Sequence, residues 1–232
     1  ISDNIYDGVI IKLGKNFSNI SLLTNNIIVA GSASTDKKIS EFALDNELGG
    51  FEFLTCIPGT IGGGLRMNAG CFNSEIKDIL VSVQAIDRLG KVITIPANKI
   101  LFKYRNNNLP EDLIFLSASF KGEKKDKEMI EKKMKELKKT KDYSQPTKIK
   151  TSGSTFKNPI EQTDKKVWEL IRDSVPLDTS FGDAHISEIH ANFFVNKNNA
   201  SFNDMKKLID FVSKSVEKKT GIKLEKEIKI LE

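Results

Sequence analysis

The chain has 232 residues, with 36 Lys plus Arg against 31 Asp plus Glu, a net charge of +5, 39% hydrophobic residues and 29% charged ones. That is enough chain to bury roughly 70% of its unfolded surface, and its composition excludes a disordered or collagen-like polymer. The basic excess is small and spread along the sequence, so it favours a groove for an anionic ligand over a nucleic-acid surface. No window reaches the roughly 18 to 20 apolar residues of a membrane span, and residues 1–15 lack the order of a signal peptide. Cys56 and Cys71 have neither CxxC nor CxxH spacing, which disfavours zinc and a disulfide framework and fits a reducing compartment.

From the N-terminus, Ile1 stands where an initiator Met would, and the β-rich run Gly8 to Leu13 begins almost at once, so the sequence reads as a fragment or a processed chain. Further β-rich runs at 27–31, 81–87, 92–95 and 113–120, with the turn signal Leu89-Gly90-Lys91, predict a hairpin over 81–95 and a mixed α and β class. Between Ser34 and Leu48 the residues Ile39, Phe42, Ala43 and Leu48 fall on one helical face, with Gly49-Gly50 as the expected stop. The segment Lys121 to Lys141 is crowded with Lys and Glu around a narrow stripe of Met129, Ile130, Met134 and Leu137, the pattern of a solvated surface helix. The aperiodic stretch Asp142 to Gly153 marks a domain boundary, dividing the chain into 1–146 and 147–232.

The second part predicts a helix near 164–174, a strand at 192–196, and a helix over 202–219 opened by the Ser201/Asp204 capping box and facing inward through Leu208, Ile209, Val212 and Val216. A strand-like alternation of Leu224, Lys226, Ile228 and Ile230 closes the chain. Trp168 is expected in the core, and His185 and His190 lack the HExxH pattern of a metal site.

Chemistry concentrates in a few places. Ile57 to Gly70, IPGTIGGGLRMNAG, carries five glycines in fourteen residues. It matches neither a P-loop nor GxGxxG, which leaves open a cradle for an anionic or flat ligand and a tight structural crossover. Arg105, beside Tyr104, could fork onto a carboxylate or serve as a surface residue. In Ser152 to Pro159, Gly153 permits a sharp turn, Ser154 offers a hydroxyl, and Lys157 with Asn158 could hold phosphate oxygens, or the whole could be a loop opening the second domain.

Five blocks in order, FEFLTCIPGTIGGGLRMNAGCFNSEIKDIL, FKYRNNNLP, SQPTKIKTSGSTFKNP, ISEIHANFFVN and LEKEIKI, resemble the UDP-N-acetylenolpyruvoylglucosamine reductase (UDP-N-acetylmuramate dehydrogenase, MurB) family. The match is to the short type without a tyrosine loop. The resemblance implies an α+β fold, with the second lobe of a two-lobe FAD-binding module followed by a smaller α/β substrate-binding domain. It implies FAD reduced by NADPH, a UDP-sugar substrate, and a cytoplasmic role in cell-wall synthesis, affecting cell shape and division, with no metal, nucleic acid or membrane; the sequence leaves the oligomeric state open, a monomer being favoured. By the same resemblance Arg105 clamps the substrate carboxylate, Ser154 donates the proton, and Glu227 orients or polarises the intermediate. Ile57, Pro58, Gly59, Thr60, Gly62, Gly63, Asn68 and Gly70 face the flavin, and Tyr104, Lys157 and Asn158 meet substrate. The family's upstream Gly-Ser-Asn loop is not in this sequence. Cys56, Arg66, Phe72-Asn73, Lys229 and the stretch Asp173 to Ala184 also depart from the family pattern. A catalytically silent remnant that binds a UDP-sugar, or a flavin oxidoreductase acting on another substrate, are the alternatives. Retention of Arg105, Ser154 and Glu227 together disfavours the last.

Overall fold

The computed structural model describes residues 6–146 and 149–231. They form two compact units, Ile10–Thr140 and the remaining described residues.

The first unit is built on a five-stranded antiparallel sheet in the spatial order Ile20–Leu23, Ile27–Gly31, Ile114–Lys121, Leu80–Ile86, Val92–Pro96. The predicted hairpin is its edge, with Ile86 opposite Val92. The Asp87 carboxylate accepts from the Leu89 and Lys91 amides at 2.9 Å, and Gly90 takes the left-handed conformation (φ 80°) that the reversal needs. In the central strand Phe115, Ala118 and Phe120 are buried, and Phe120 meets Phe51 edge to face at a centroid distance of 6.4 Å.

The expected helix between Ser34 and Leu48 is the shorter Asp36–Asp45. Thr35 caps it by accepting from the Lys38 amide. It stops before Gly49-Gly50 because the Asn46 side chain donates to the Phe42 carbonyl and Glu47 turns left-handed (φ 56°). Leu48–Gly49 then pairs with Glu123–Lys124 as a short ladder. The strand Ile20–Leu23 was not anticipated. Conversely, the run 8–13 is not a strand: it pairs with nothing described, and Val9, Ile10 and Ile11 are 85%, 60% and 77% exposed. β propensity without a partner ladder does not make a strand. The Lys/Glu-rich segment is the helix Lys127–Ser144, with Ile130 and Leu137 buried.

The second unit has a four-stranded antiparallel sheet in the order Thr151–Ser154, Phe193–Asn196, Ala184–Ile186, Ser180–Phe181. The helices Val167–Ser174 and Phe202–Thr220 pack in the same unit. The long helix opens as the capping box requires: the Asp204 amide donates to Ser201 Oγ at 3.1 Å and the Ser201 amide to Asp204 Oδ2 at 3.0 Å. It ends at left-handed Gly221. Trp168 is only partly buried, with the Arg172 guanidinium over its ring. The terminal alternation is not a full strand. Lys226 alone bridges to Phe156, while Leu224, Ile228 and Ile230 rest half-buried on the core.

Arg66, the charge expected to be foreign to its segment, has a structural task. Its guanidinium donates to the carbonyls of Leu109 and Pro110 (3.3 and 3.0 Å) and of Leu113 (2.7 Å), and lies 4.4 Å from the centre of the Phe115 ring. Burial lowers its pKa, against the opposing pull of Glu111 and Asp112. Arg66→Met keeps the stem on Phe115 but strips three carbonyls of their donor, so urea unfolding should show a loss of about 2–3 kcal/mol. Arg66→Lys should recover less than half of it, because an ammonium cannot fork. Equal stability of Arg66→Met and the parent would reject this role.

Candidate active site

The glycine-rich segment folds as a crossover that ends in the short helix Ile61–Met67. Its start is sewn to the turn between the strand Ile27–Gly31 and the helix at Asp36: the Ile61 amide donates to the Ser34 carbonyl, the Gly62 amide to the Ser32 carbonyl, and the Asp36 amide to the Gly59 carbonyl. Three glycines are demanded by close packing. A Cβ on Gly64 would stand 2.5 Å from Ile76 Cδ1, one on Gly70 2.4 Å from the Ser74 carbonyl, and one on Gly62 3.1 Å from Ser32 Cβ. Gly63 is different, since a Cβ there meets nothing nearer than 3.9 Å and the residue is exposed.

The reading as a structural crossover holds for part of the segment. Ile57 packs against the core, and Gly62 and Gly70 are internal contacts. Asn68 is fully buried and left-handed (φ 41°), with its amide bonded to Glu75 and to the Lys77 N–H. Pro58, Gly59, Thr60 and Gly63 are exposed. Among them Gly63 leaves a point of open backbone bare of a side chain, which suits a flat ring or a phosphate lying against it. On that observation the residues present fit a flavin.

Tyr104 and Arg105 lie in a tight turn closed by reciprocal amide–carbonyl bonds between Lys103 and Asn106. Arg105 is left-handed (φ 54°), a conformation that costs energy for a side chain of its size and recurs at functional positions. Its guanidinium lies 5.0 Å from the Tyr104 ring centre and reaches the Gly70 carbonyl at 3.5 Å, so the arginine is oriented toward the end of the glycine segment.

In the second unit, Ser154 ends the strand Thr151–Ser154 opposite Phe193, while Thr151 stands opposite Val195. Three steps along one strand against two along the other make a β-bulge, which left-handed Gly153 (φ 86°) accommodates. Such a bulge re-aims the side chain that follows it, here the half-exposed Ser154. Beyond it the chain is laid against the C-terminal segment. The Glu227 amide donates to the Thr155 carbonyl at 2.9 Å and the Lys157 amide to the Glu225 carbonyl at 2.8 Å. The structure thus brings Glu227 next to the residue that follows Ser154.

Lys157 forms a 2.5 Å ion pair with Glu225, and Asn158 Oδ1 accepts from the Val167 amide at the start of a helix. Each therefore has a structural partner alongside any role at substrate. Asn192 and Asp36 are polar residues that the fold buries and that carry no sequence signal of their burial. His190, its pKa lowered by burial, stacks edge-on to Phe193 and accepts the Asn192 amide on Nδ1, which marks a neutral ring with a structural part to play. Among the described residues no helix is long and apolar enough to cross a membrane.

Two family models match the chain: "FAD binding domain" over residues 1–96 and "UDP-N-acetylenolpyruvoylglucosamine reductase, C-terminal domain" over 145–231. The sequence is 76% identical over 231 residues to the UDP-N-acetylenolpyruvoylglucosamine reductase of Pelagibacter ubique (strain HTCC1062), covering 100% of this chain and 76% of that protein. It is 47% identical over 229 residues to the reductase of the same name from Rickettsia conorii (strain ATCC VR-613 / Malish 7), covering 99% and 76%. The crystal structure of the Thermus caldophilus enzyme superposes with a TM-score of 0.75 at 30% identity, covering 86% of this chain and 71% of that one.

Proposed function

The chain belongs to the UDP-N-acetylenolpyruvoylglucosamine reductase family, and we propose that it reduces the enolpyruvyl double bond of its UDP-sugar substrate to give UDP-N-acetylmuramate for peptidoglycan synthesis. The observation that carries this reading, within that family, is the bulge that aims Ser154 on a backbone laid against Glu227.

FAD, once bound and reduced by NADPH, would supply the hydride. Pro58, Gly59, Thr60 and Gly63 are the exposed candidates to hold it, with Ile57, Gly62, Asn68 and Gly70 shaping the segment from within. Hydride addition at the terminal alkene carbon leaves negative charge on the carbon beside the substrate carboxylate. Arg105, pre-oriented by its turn, pairs with that carboxylate and offsets the charge as it spreads there. The proton reaches the carbanionic carbon from Ser154 Oγ, and Glu227 polarises the intermediate and supports the donor. A serine is a weak acid, but a carbanion is a strong enough base to draw its proton. Tyr104, Lys157 and Asn158 complete substrate contact.

NADPH as reductant, a monomeric state and a cytoplasmic setting complete the reading, with cell shape and division depending on the product. Mixing experiments on the flavin-loaded protein test it. The flavin absorbance should bleach with NADPH and return, without oxygen, on addition of UDP-N-acetylglucosamine enolpyruvate but not UDP-N-acetylglucosamine. Return of colour with oxygen alone would point to an oxidase. A colourless protein that still binds the UDP-sugar would favour the silent remnant.

A further inference from the structure

Immediately after Ser154 the ladder with the strand Phe193–Asn196 runs out, because the partner chain turns away at Asn192. The two peptide units that follow, Thr155 and Phe156, are buried and must find partners. On one side they take the C-terminal segment, through Lys226 opposite Phe156 and the Glu227 amide on the Thr155 carbonyl. On the other side they take Asn192. Its backbone carbonyl accepts the Thr155 amide at 2.8 Å. Its side chain then acts as a surrogate peptide: Oδ1 accepts the Phe156 amide at 3.0 Å, and Nδ2 donates to the Phe156 carbonyl at 2.8 Å.

Asn192 is 3% exposed, and its own amide donates to His190 Nδ1 at 3.2 Å. Its carboxamide is thus fixed as a donor–acceptor pair, a geometry that no shorter or apolar side chain reproduces. Ser154 and Glu227 both hang from this clamped stretch, Ser154 one residue before Thr155 and Glu227 bonded across it.

We infer that Asn192 is a positioning residue for proton transfer: its side chain, acting as a missing strand, sets the backbone that carries Ser154 and fixes Ser154 relative to Glu227. The inference rests on the proton-donor role proposed above for Ser154. Asn192 touches neither substrate nor cofactor in this scheme. Its effect is transmitted through one hydrogen-bonded pair of peptide groups, where a displacement of an ångström costs more rate than stability.

The test is a double-mutant cycle on the flavin-loaded protein, read by rapid mixing. Asn192→Ala should leave flavin reduction by NADPH unchanged and slow reoxidation by substrate by at least about tenfold. In the Ser154→Ala background the same substitution should slow it less than about twofold further, because two residues acting as one unit are not additive. A second variant covers the case in which Asn192→Ala does not fold. Asn192→Asp keeps the shape but, ionised, sets a carboxylate against the Phe156 carbonyl. Protonated, it again offers one acceptor and one donor, so its reoxidation rate relative to the parent should recover as pH falls.

Amide exchange gives a readout independent of any bound group. In both variants at neutral pH the Thr155 and Phe156 amides should exchange on the order of tenfold faster, while those of Leu208 to Val212 in the long helix keep the parent rate. Parent-like reoxidation in Asn192→Ala, or an equal slowing in both backgrounds, overturns the positioning role and leaves Ser154 as donor. If Ser154→Ala itself reoxidises at the parent rate, the donor assignment fails first and the positioning role falls with it.

Discussion

Ser154→Ala is expected to slow reoxidation of the flavin by the enolpyruvyl substrate by at least about a hundredfold, while flavin reduction by NADPH stays within about twofold of the parent. The asymmetry follows from where the hydroxyl acts. Reduction of the flavin involves no carbanion, so a proton donor to carbon has nothing to do in that half-reaction. In the second half-reaction the carbanionic carbon must be protonated, and a hydroxyl helps only if it is already aimed at that carbon. The bulge at Gly153 and the pairing of the next residues with Asn192 and Glu227 supply that aim. Arg105→Ala should behave differently, raising the KM for substrate as well as slowing reoxidation, because a guanidinium meets the carboxylate in the ground state and again as charge grows. A Ser154→Ala enzyme that reoxidises at the parent rate would return Ser154 to the role of a turn residue.

How much of this was legible in the sequence depended on whether the determinants were local. The helix Phe202–Thr220 could be read because its cap, its apolar stripe and its terminal glycine are all within one segment. The hairpin Leu80–Pro96 was equally local, its turn held by one aspartate. The run 8–13 misled for the opposite reason: Val9, Ile10 and Ile11 favour a strand, but a strand is a relation between segments. The end of the helix at Asp45 was missed because Glu47 adopts a left-handed conformation that its residue type does not advertise.

The site shows the same division. The positions of Arg105, Ser154 and Glu227 came from family resemblance, whereas the backbone just after Ser154 is held by Asn192, 36 residues from Phe156 along the chain. No periodicity or spacing announces a carboxamide that completes another segment's ladder. The glycines divided in the same way: Gly62, Gly64 and Gly70 answer to neighbours that only the fold supplies, and Gly63 does not.

Asp36→Asn is expected to stabilise the protein at pH 8 and to lose that advantage as pH falls toward 4. An acid in the first turn of a helix is ordinarily favourable, but this side chain turns inward. Asp36 is 0% exposed, and among the described residues neither carboxylate oxygen has a hydrogen-bond partner, nor do the buried hydroxyls of Ser32 and Ser34. Its oxygens lie beneath the glycine segment, 3.1 and 3.5 Å from where Cβ atoms on Gly59 and Gly64 would stand. Burial pushes its pKa from 3.8 to about 7. The folded state therefore holds a proton that the unfolded chain releases near 3.8, and stability falls as pH rises from about 4 to about 7, with the whole cost present above that. The shift corresponds to at most ~4 kcal/mol. An amide of the same shape never ionises, so at pH 8 its melting temperature should exceed the parent's by roughly 5 to 10 °C, and at pH 4 the two should nearly coincide. Scanning calorimetry of both proteins across this range decides the matter. A gap independent of pH would mean that Asp36 finds a partner for its charge, and that the glycine segment is not resting on a neutral carboxyl.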